Sequence, residues 1–338
     1  MRILHVASIS ENKAAGVSFS VPNLIEAQNL YCKENVSSLY NTVNGIRLKE
    51  IDFNNYSLYI LHSFFELTKL IILFKIPRSK KIIICPRGAF SKANKYSIKK
   101  HIYSYLYFNI IKYRKLNVGI HFLTENEKTL SRFHLPKEFV IGNTININSH
   151  NYVLSIQQAQ KKFHAKEIVY IGRFANHIKG LDLLFYQIIK DQYTIKSNRI
   201  VFSFYGPESK DKIHLQKIVK ENNLSFIHFY NEVFGSHKNQ IIKNATFNIM
   251  SSRSEGFPMA VLESCAYSTP QILSKGTNFL EIMSEMNFGL SFSDSFISKI
   301  VQLSFNQYYE MCKNAKLFAL LFDYETIGGK TLDYYKLT

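Results

Sequence analysis

Short apolar runs alternate with longer amphipathic stretches along the 338-residue chain, and the alternation falls into two successive series. In the first, residues 2–7, 57–61, 81–85, 119–123 and 139–141 read as strands, with helical spacing over 96–114 and 125–133. In the second, 167–171, 200–205, 227–229, 245–250 and 271–273 read as strands, with helices at 180–190, 210–222, 238–244, 258–267 and 305–321. Runs that are apolar throughout suit strands buried on both faces, and strands separated by helices pair in parallel. Between the series, residues 146–165 are polar and weakly patterned, which predicts a linker there. The pattern therefore predicts an α/β protein with two Rossmann-like domains. Ligands of such sheets sit outside the C-terminal strand ends, so a nucleotide-shaped ligand in a cleft between the domains is the expectation.

Composition agrees with two globular domains, at 46% hydrophobic and 20% charged residues. Charge changes the picture more. The formal net charge is +17, and residues 1–150 hold 21 Lys and Arg against 9 Asp and Glu. From Leu67 to Thr124 there are 13 basic residues and no acidic one. That field attracts anions. It suits a solvated surface of a Lys-rich chain, or a surface that meets anionic lipid or a phosphorylated acceptor. Tyr103, Tyr105, Tyr107 and Phe108 lie in the same stretch. Aromatics beside cations fit a membrane interface, and equally a core-facing helix with a wet basic side. Leu70–Phe74 is far short of the roughly 20 apolar residues that span a bilayer, so any membrane contact is expected to be peripheral. The first strand follows directly on Met1 and Arg2, and no secretory leader is expected. Cys32, Cys85, Cys265 and Cys312 are scattered without a CxxC pair, so neither a zinc site nor a disulfide framework is expected and a reducing cytoplasm fits.

Two segments carry candidate chemistry. In the first, an apolar strand runs into Ser254-Glu255-Gly256-Phe257-Pro258-Met259-Ala260-Val261-Leu262-Glu263. Pro258 suits the first position of a helix and Gly256 a tight turn. The N–H groups of Met259, Ala260 and Val261 would then form an anion site suited to a diphosphate. Glu255 and Glu263 frame that helix start, and carboxylates accept hydrogen bonds from sugar hydroxyls. As plain structure, Glu255 would be a capping acid and Glu263 a solvated helix residue. In the second segment, Arg173 emerges from the strand ending at Gly172, and Lys179 follows a short loop ahead of the next helix. An Arg fork and a Lys point charge both suit phosphate oxygens.

Together, Gly172-Arg173, Lys179-Gly180 and Ser254-Glu255-Gly256-Phe257-Pro258 with Glu263 resemble the C-terminal domain of the retaining GT-B glycosyltransferases, family 4 (bacterial surface-polysaccharide type). Tyr205-Gly206-Pro207 resembles that family's strand ending in Gly-Pro, and Tyr230-Asn231-Glu232-Val233 its base-contacting turn. The end of the chain, 322–335, is similar to the closing helix that crosses back onto the first domain. The resemblance implies an acceptor-binding domain over 1–150, a nucleotide-sugar-binding domain over 151–322 and a returning helix over 323–338. It implies that Arg173 and Lys179 bind the donor diphosphate and stabilise the leaving group. Glu255 would contact the transferred sugar and Glu263 the ribose. Gly16, Asn231, Gly256, Phe257, Pro258, Met259 and Val261 complete the implied donor site. Gly16 stands where the family often has Gly-Gly, after Ala14 and Ala15. In Pro86-Arg87-Gly88, Arg87 replaces a histidine found in many members, and His62 is the other candidate on the acceptor side; a packed, hydrogen-bonded histidine is the alternative. Gly142-Asn143-Thr144 stands where Pro-Asn-Gly is common.

The cations at the diphosphate, with no Asp-x-Asp after a strand and no Ca²⁺ or Mg²⁺ ligand spacing, lead to an expectation of metal-independent transfer without a cofactor. The resemblance implies a nucleotide-sugar donor, UDP-linked most commonly, and a glycan or lipid-linked acceptor. It also implies a location on the inner face of the cytoplasmic membrane. The competing reading is a basic protein that binds nucleic acid or another anionic polymer; no nucleic-acid motif supports it.

Overall fold

The computed structural model describes residues 1–9, 16–34, 36–43, 48–92, 95–147 and 152–337, and it divides into two units, 1–146 with 322–338, and 147–321.

The first unit is built on β1 (Ile3–Ala7), β2 (Ser37–Asn41), β3 (Leu58–His62), β4 (Lys81–Cys85), β5 (Asn117–Phe122) and β6 (Glu138–Val140). They form one parallel sheet in the order β2-β1-β3-β4-β5-β6. Among its described residues, this run of chain carries α1 (Gly16–Cys32), α2 (Leu67–Lys75), α3 (Ile98–Arg114) and α4 (Glu125–Thr129). One sheet face buries Leu4, Tyr59, Leu61 and Ile84 with Ile72 of α2 and Tyr103 and Tyr107 of α3. The other buries Ile3, Leu58, Ile60 and Ile83 with Leu24 of α1. Because β1 and β3 are buried on both faces, their apolar runs are unbroken except at His5 and His62, which point to the α1 side with Ile3 and Ile60 by the two-residue period. The helix expected over 125–133 stops at Thr129, and β2 was absent from the pattern reading.

The second unit contains α5 (Ile156–Ala165), β7 (Glu167–Ile171), α6 (Asn176–Lys179), α7 (Leu181–Lys190), α8 (Gln192–Ser197), β8 (Val201–Tyr205) and α9 (Lys210–Glu221). It continues with β9 (Ile227–Tyr230), α10 (Gly235–Asn244), β10 (Phe247–Met250), α11 (Met259–Ala266) and β11 (Gln271–Leu273). It closes with α12 (Leu280–Met286), β12 (Gly289–Ser291), α13 (Phe296–Gln302) and α14 (Phe305–Leu320). Its parallel sheet runs β12-β11-β10-β7-β8-β9. The chain adds strands outward from β7 through β9, then returns to place β10 on the other side of β7. The order reverses between β7 and β10, and a sheet's ligand site forms outside the strand ends at such a point.

The expected linker is in part a helix. α5 occupies 156–165, opened by a capping box in which Ser155 and Gln158 satisfy each other's backbone N–H groups. Its buried residues include Lys162, whose ammonium donates to the Ser268 carbonyl at 3.2 Å and to Thr269 Oγ1 at 2.8 Å. A lysine in an inward position is what weakened the apolar pattern.

The last helix, α15 (Tyr324–Leu337), packs on α1 in the first unit. Gly328 makes this approach possible, since a Cβ there would lie 2.5 Å from the Ala27 carbonyl oxygen. Ile327, Leu332 and Tyr335 complete the core on that side of the sheet.

Candidate active site

At the reversal point of the second unit, β7 delivers Gly172 and Arg173, and β10 delivers the loop 251–258. The two loops are locked together. Gly180 has φ +61°, and a Cβ on it would lie 2.1 Å from the Ser251 carbonyl oxygen, so only glycine fits both the backbone and the space. Ser251 Oγ donates to the Lys179 carbonyl at 2.9 Å, and the Arg253 N–H donates to the Ile178 carbonyl at 2.9 Å. The Arg253 guanidinium grips Asp182 through two bonds of 2.6 and 2.7 Å.

This clamp sets the geometry of the charged pair. Lys179 Nζ lies 2.6 Å from Glu255 Oε1, and both side chains are largely buried. Ser252 Oγ donates to the same carboxylate oxygen at 2.6 Å. The Glu255 N–H donates to the Gly276 carbonyl at 2.8 Å, and Asn278 Nδ2 donates to the Glu255 carbonyl at 2.6 Å. Glu255 is thus fixed at backbone and side chain. The Lys179 ammonium carries three protons, only one of which a single carboxylate contact uses. Arg173 is exposed, and its guanidinium has no hydrogen-bond or ion-pair partner among the described residues. The Tyr170 hydroxyl donates to the Arg173 carbonyl at 2.7 Å. Burial first, and Glu255 second, raise its pKa, while Arg173 lowers it. Both charges therefore act on one point at the end of β7.

Farther along, Glu263 on α11 pairs with Lys238 of α10 at 2.5 Å. Phe257 packs edge-on against Phe279, with centroids 5.0 Å apart. Pro258 precedes α11 as its N-cap, with φ −79° and ψ 95°, instead of opening the helix. That conformation turns its carbonyl back onto the Val261 N–H at 3.1 Å, and the Val261 side chain is buried. The Val261 N–H is therefore engaged within the turn. The N–H groups of Met259 and Ala260 have no partner among the described residues. Gly256 sits in the loop, its carbonyl accepting from Asn278 Nδ2 at 3.3 Å. Asn231 is exposed just after β9. Beside it, Tyr230 stacks on Tyr205 at 4.7 Å. Beneath them the buried Lys212 ammonium donates to the Tyr230 carbonyl at 3.0 Å and also pairs with Glu208.

In the first unit, Gly16 opens α1, while Ala14 and Ala15 lie outside the described residues. Arg87 stands just after β4 in a left-handed backbone conformation, φ 51°. Its Nε donates to His62 Nδ1 at 3.2 Å, and its Nη1 to Ser20 Oγ at 2.7 Å and Asn143 Oδ1 at 3.1 Å. Since arginine only donates, the rest of the chain of bonds has one consistent direction. His62 Nδ1 accepts, so its Nε2–H donates to His5 Nδ1 at 2.9 Å. His5 Nε2–H then donates to Gln28 Oε1 at 2.9 Å, and Gln28 Nε2 to Thr331 Oγ1 of α15 at 3.1 Å. Both imidazoles are neutral. Burial lowers the His5 pKa to about 3 and takes His62 well below its usual value, with Arg87 the next cause for His62. His62 is closed to solvent, and both ring nitrogens are engaged. It holds Arg87 in place, as the packed, hydrogen-bonded alternative describes. Arg87 Nη2 is buried without a partner among the described residues.

Sequence reading missed Lys238, Lys212, Ser252, Asn278, His5 and Gln28. Lys212 had a faint signal, as a lysine three residues before Leu215 on the inward period of α9. Ser252 had a local one, three residues before Glu255, and the others meet their partners only through the fold.

Residues 165–306 match the family described as glycosyl transferases group 1. The chain is 22% identical, over 90% of its length and 89% of the relative's, to an uncharacterized 41.2 kDa protein in the cps region of Klebsiella pneumoniae. Among solved structures it is similar to sucrose-phosphate synthase from Thermosynechococcus elongatus, with a TM-score of 0.73, 14% identity, and 100% and 99% of the two chains covered. It is also similar to Anabaena HepE in complex with UDP and glucose, with a TM-score of 0.72, 12% identity and both chains covered fully. The fold is thus the GT-B fold, and the stretch that matches the glycosyl transferases group 1 model lies within the second unit.

Proposed function

We propose that the protein is a retaining, metal-independent glycosyltransferase. It moves a sugar from a UDP-linked donor to a glycan or lipid-linked oligosaccharide during bacterial surface polysaccharide synthesis, as a peripheral enzyme on the inner face of the cytoplasmic membrane. The observation that carries this reading is the Lys179–Glu255 pair at 2.6 Å, set at the β7/β10 reversal beside the exposed Arg173 and the N–H groups of Met259 and Ala260. A nucleotide diphosphate needs several cationic donors held at one place, with a carboxylate close by for the sugar hydroxyls. This site has both. The UDP and glucose bound by HepE and the cps-region origin of the Klebsiella relative support the donor and the pathway class.

In the reaction, the bond from the anomeric carbon to the diphosphate breaks, and the acceptor oxygen bonds to that carbon on the same face. The hydroxyl proton passes to a diphosphate oxygen. Lys179, Arg173 and the start of α11 stabilise the departing diphosphate by preorganised charge. Glu255 orients the sugar and Glu263 the ribose, with Lys238 positioning Glu263. On the acceptor side, Arg87 is the candidate, held in one direction by the His62–His5–Gln28 chain.

The test is incubation with UDP-glucose, UDP-galactose, UDP-N-acetylglucosamine and GDP-mannose in EDTA, followed by NMR, with water standing in for the acceptor. The expected result is slow release of UDP from one donor, with the first-formed sugar keeping its anomeric configuration. Release of an inverted sugar, or no release without a divalent ion, would overturn the proposal.

A further inference from the structure

The stretch without acidic residues folds into a surface the donor chemistry does not use. On α2, Leu67 (74% exposed), Ile71 and Phe74 form one outward stripe with spacing i, i+4, i+7. On the adjoining α3, Ile98 (80% exposed), Ile102, Tyr105, Leu106 and Tyr113 (82% exposed) form another. The inward side of α3 is filled by Tyr103, Ser104, Tyr107 and Ile111, so its outward stripe is apolar surplus to the core. Exposed apolar residues are ordinary when scattered, and informative when they line up on neighbouring helices.

Cations edge these stripes. Lys75 and Arg78 lie at the end of α2, and Lys99, Lys100 and Lys112 border the stripe of α3. Lys100 sits over the Phe65 ring at 4.9 Å, and Arg132 over Tyr96 at 4.8 Å, each cation bordering an aromatic ring. Grooves of about 350 Å³ and 540 Å³ flank α3, the first lined by Phe65, Leu70 and Lys99, the second by Tyr96, Phe108 and Arg132. No described helix is long and apolar enough to cross a membrane. An apolar stripe bordered by lysines is the pattern of a helix lying in the headgroup region.

We infer that the outward faces of α2 and α3 form a docking surface for an anionic lipid bilayer, with the apolar stripes entering the interface and the bordering cations meeting lipid phosphates. The occupant follows from charge complementarity: Lys75, Arg78, Lys99, Lys100 and Lys112 edge the stripes and neither α2 nor α3 carries an acidic residue, so this face repels a second copy of itself and any other cationic partner. The inference deepens the membrane part of the function proposed above, and it stands apart from the donor site.

The chain contains no tryptophan, so one introduced residue reports its own surroundings. Ile102→Trp places it in the α3 stripe, and Tyr193→Trp on an exposed position of α8 serves as the reference. Each is mixed with vesicles of phosphatidylcholine, alone or with roughly 30% phosphatidylglycerol. The expected result is a blue shift for the α3 tryptophan with the anionic vesicles only, reversed by salt, and none for the reference. Ile98→Glu with Leu106→Glu, and separately Lys99→Ser with Lys100→Ser and Lys112→Ser, each lower vesicle affinity by about tenfold or more. Stabilisation by UDP stays at the wild-type level in both, which shows that the variants fold and keeps a failure here distinct from a failure of the donor site. No shift with anionic vesicles, equal shifts with both vesicle types, or a shift without vesicles that grows with protein concentration would each overturn the inference. The last outcome would assign the face to a second copy of the chain.

Discussion

The two units place polar side chains at comparable points of similar sheets, yet they use them in opposite ways. At the β7/β10 reversal of the second unit the groups are charged and partly open: Lys179 with Glu255, Lys238 with Glu263, and Arg173 exposed. At the β1/β3 reversal of the first unit they are closed off and, apart from Arg87, neutral, a directional chain from Arg87 through His62, His5 and Gln28 to Thr331. The first arrangement suits a charged ligand. The second fixes one guanidinium and ties it to the last helix of the chain. Similar topology therefore supports a charge-binding site in one unit and a positioning network in the other.

Three perturbations separate these roles, beginning with the largest effect. In the proposed mechanism Lys179 acts on the leaving diphosphate, so Lys179→Ala is expected to lower kcat by about 10²–10³, with the unfolding of the first unit unchanged. A fall of only a few-fold would place the leaving-group charge elsewhere. Gly180→Ala drives a Cβ into the Ser251 carbonyl at a positive φ. It is expected to destabilise the second unit by about 2 kcal/mol, read as a separate shift in urea unfolding followed by proteolysis. If the variant unfolds like wild type, the two loops are not locked as described.

The third perturbation is pH, and it acts on the first unit. Burial lowers His5 to about 3 and His121 to about 4 from 6.5, and His62 in the same direction. Below 6.5 the unfolded chain binds protons that the folded one does not, so stability falls as pH drops from about 6.5 toward about 4. The slope is about 1 kcal/mol per pH unit for each such histidine. His62→Gln removes one titrating group and is expected to flatten the slope by that share. An unchanged slope in urea unfolding between about pH 7 and about pH 5 would show that the network is not what senses protons.

The charged site was largely legible in the sequence because its parts are local. Gly172-Arg173 and Ser254 to Pro258 each lie at the end of one apolar strand, so the strand pattern alone puts them at a ligand-facing edge. The closed network was not legible. His5 and Gln28 are 23 positions apart, and Gln28 and Thr331 are 303 apart; only the finished sheet brings them together. The fold showed the same divide. Central strands such as 81–85 and 167–171 are apolar after a charged first residue and were read to the residue. Of the four edge strands, β6 and β9 were read, while β2 (Ser-Ser-Leu-Tyr-Asn) and β12 (Gly-Leu-Ser) carry few apolar residues and were passed over. α1 carries Pro22 inside it, which obscures a helical reading. The closing pairs Lys238–Glu263 and Lys179–Glu255 span 25 and 76 positions, distances at which sequence pattern carries no pairing information.

The central claim is that the β7/β10 reversal of the second unit binds the donor diphosphate through Lys179. Calorimetric titration of UDP in EDTA into wild-type protein and Lys179→Ala tests it most directly. The account predicts saturable binding to wild type and an affinity about tenfold or more weaker in the variant, from loss of one charge-assisted donor. Equal affinity in the two proteins, or no binding to wild type until a divalent ion is added, would contradict it.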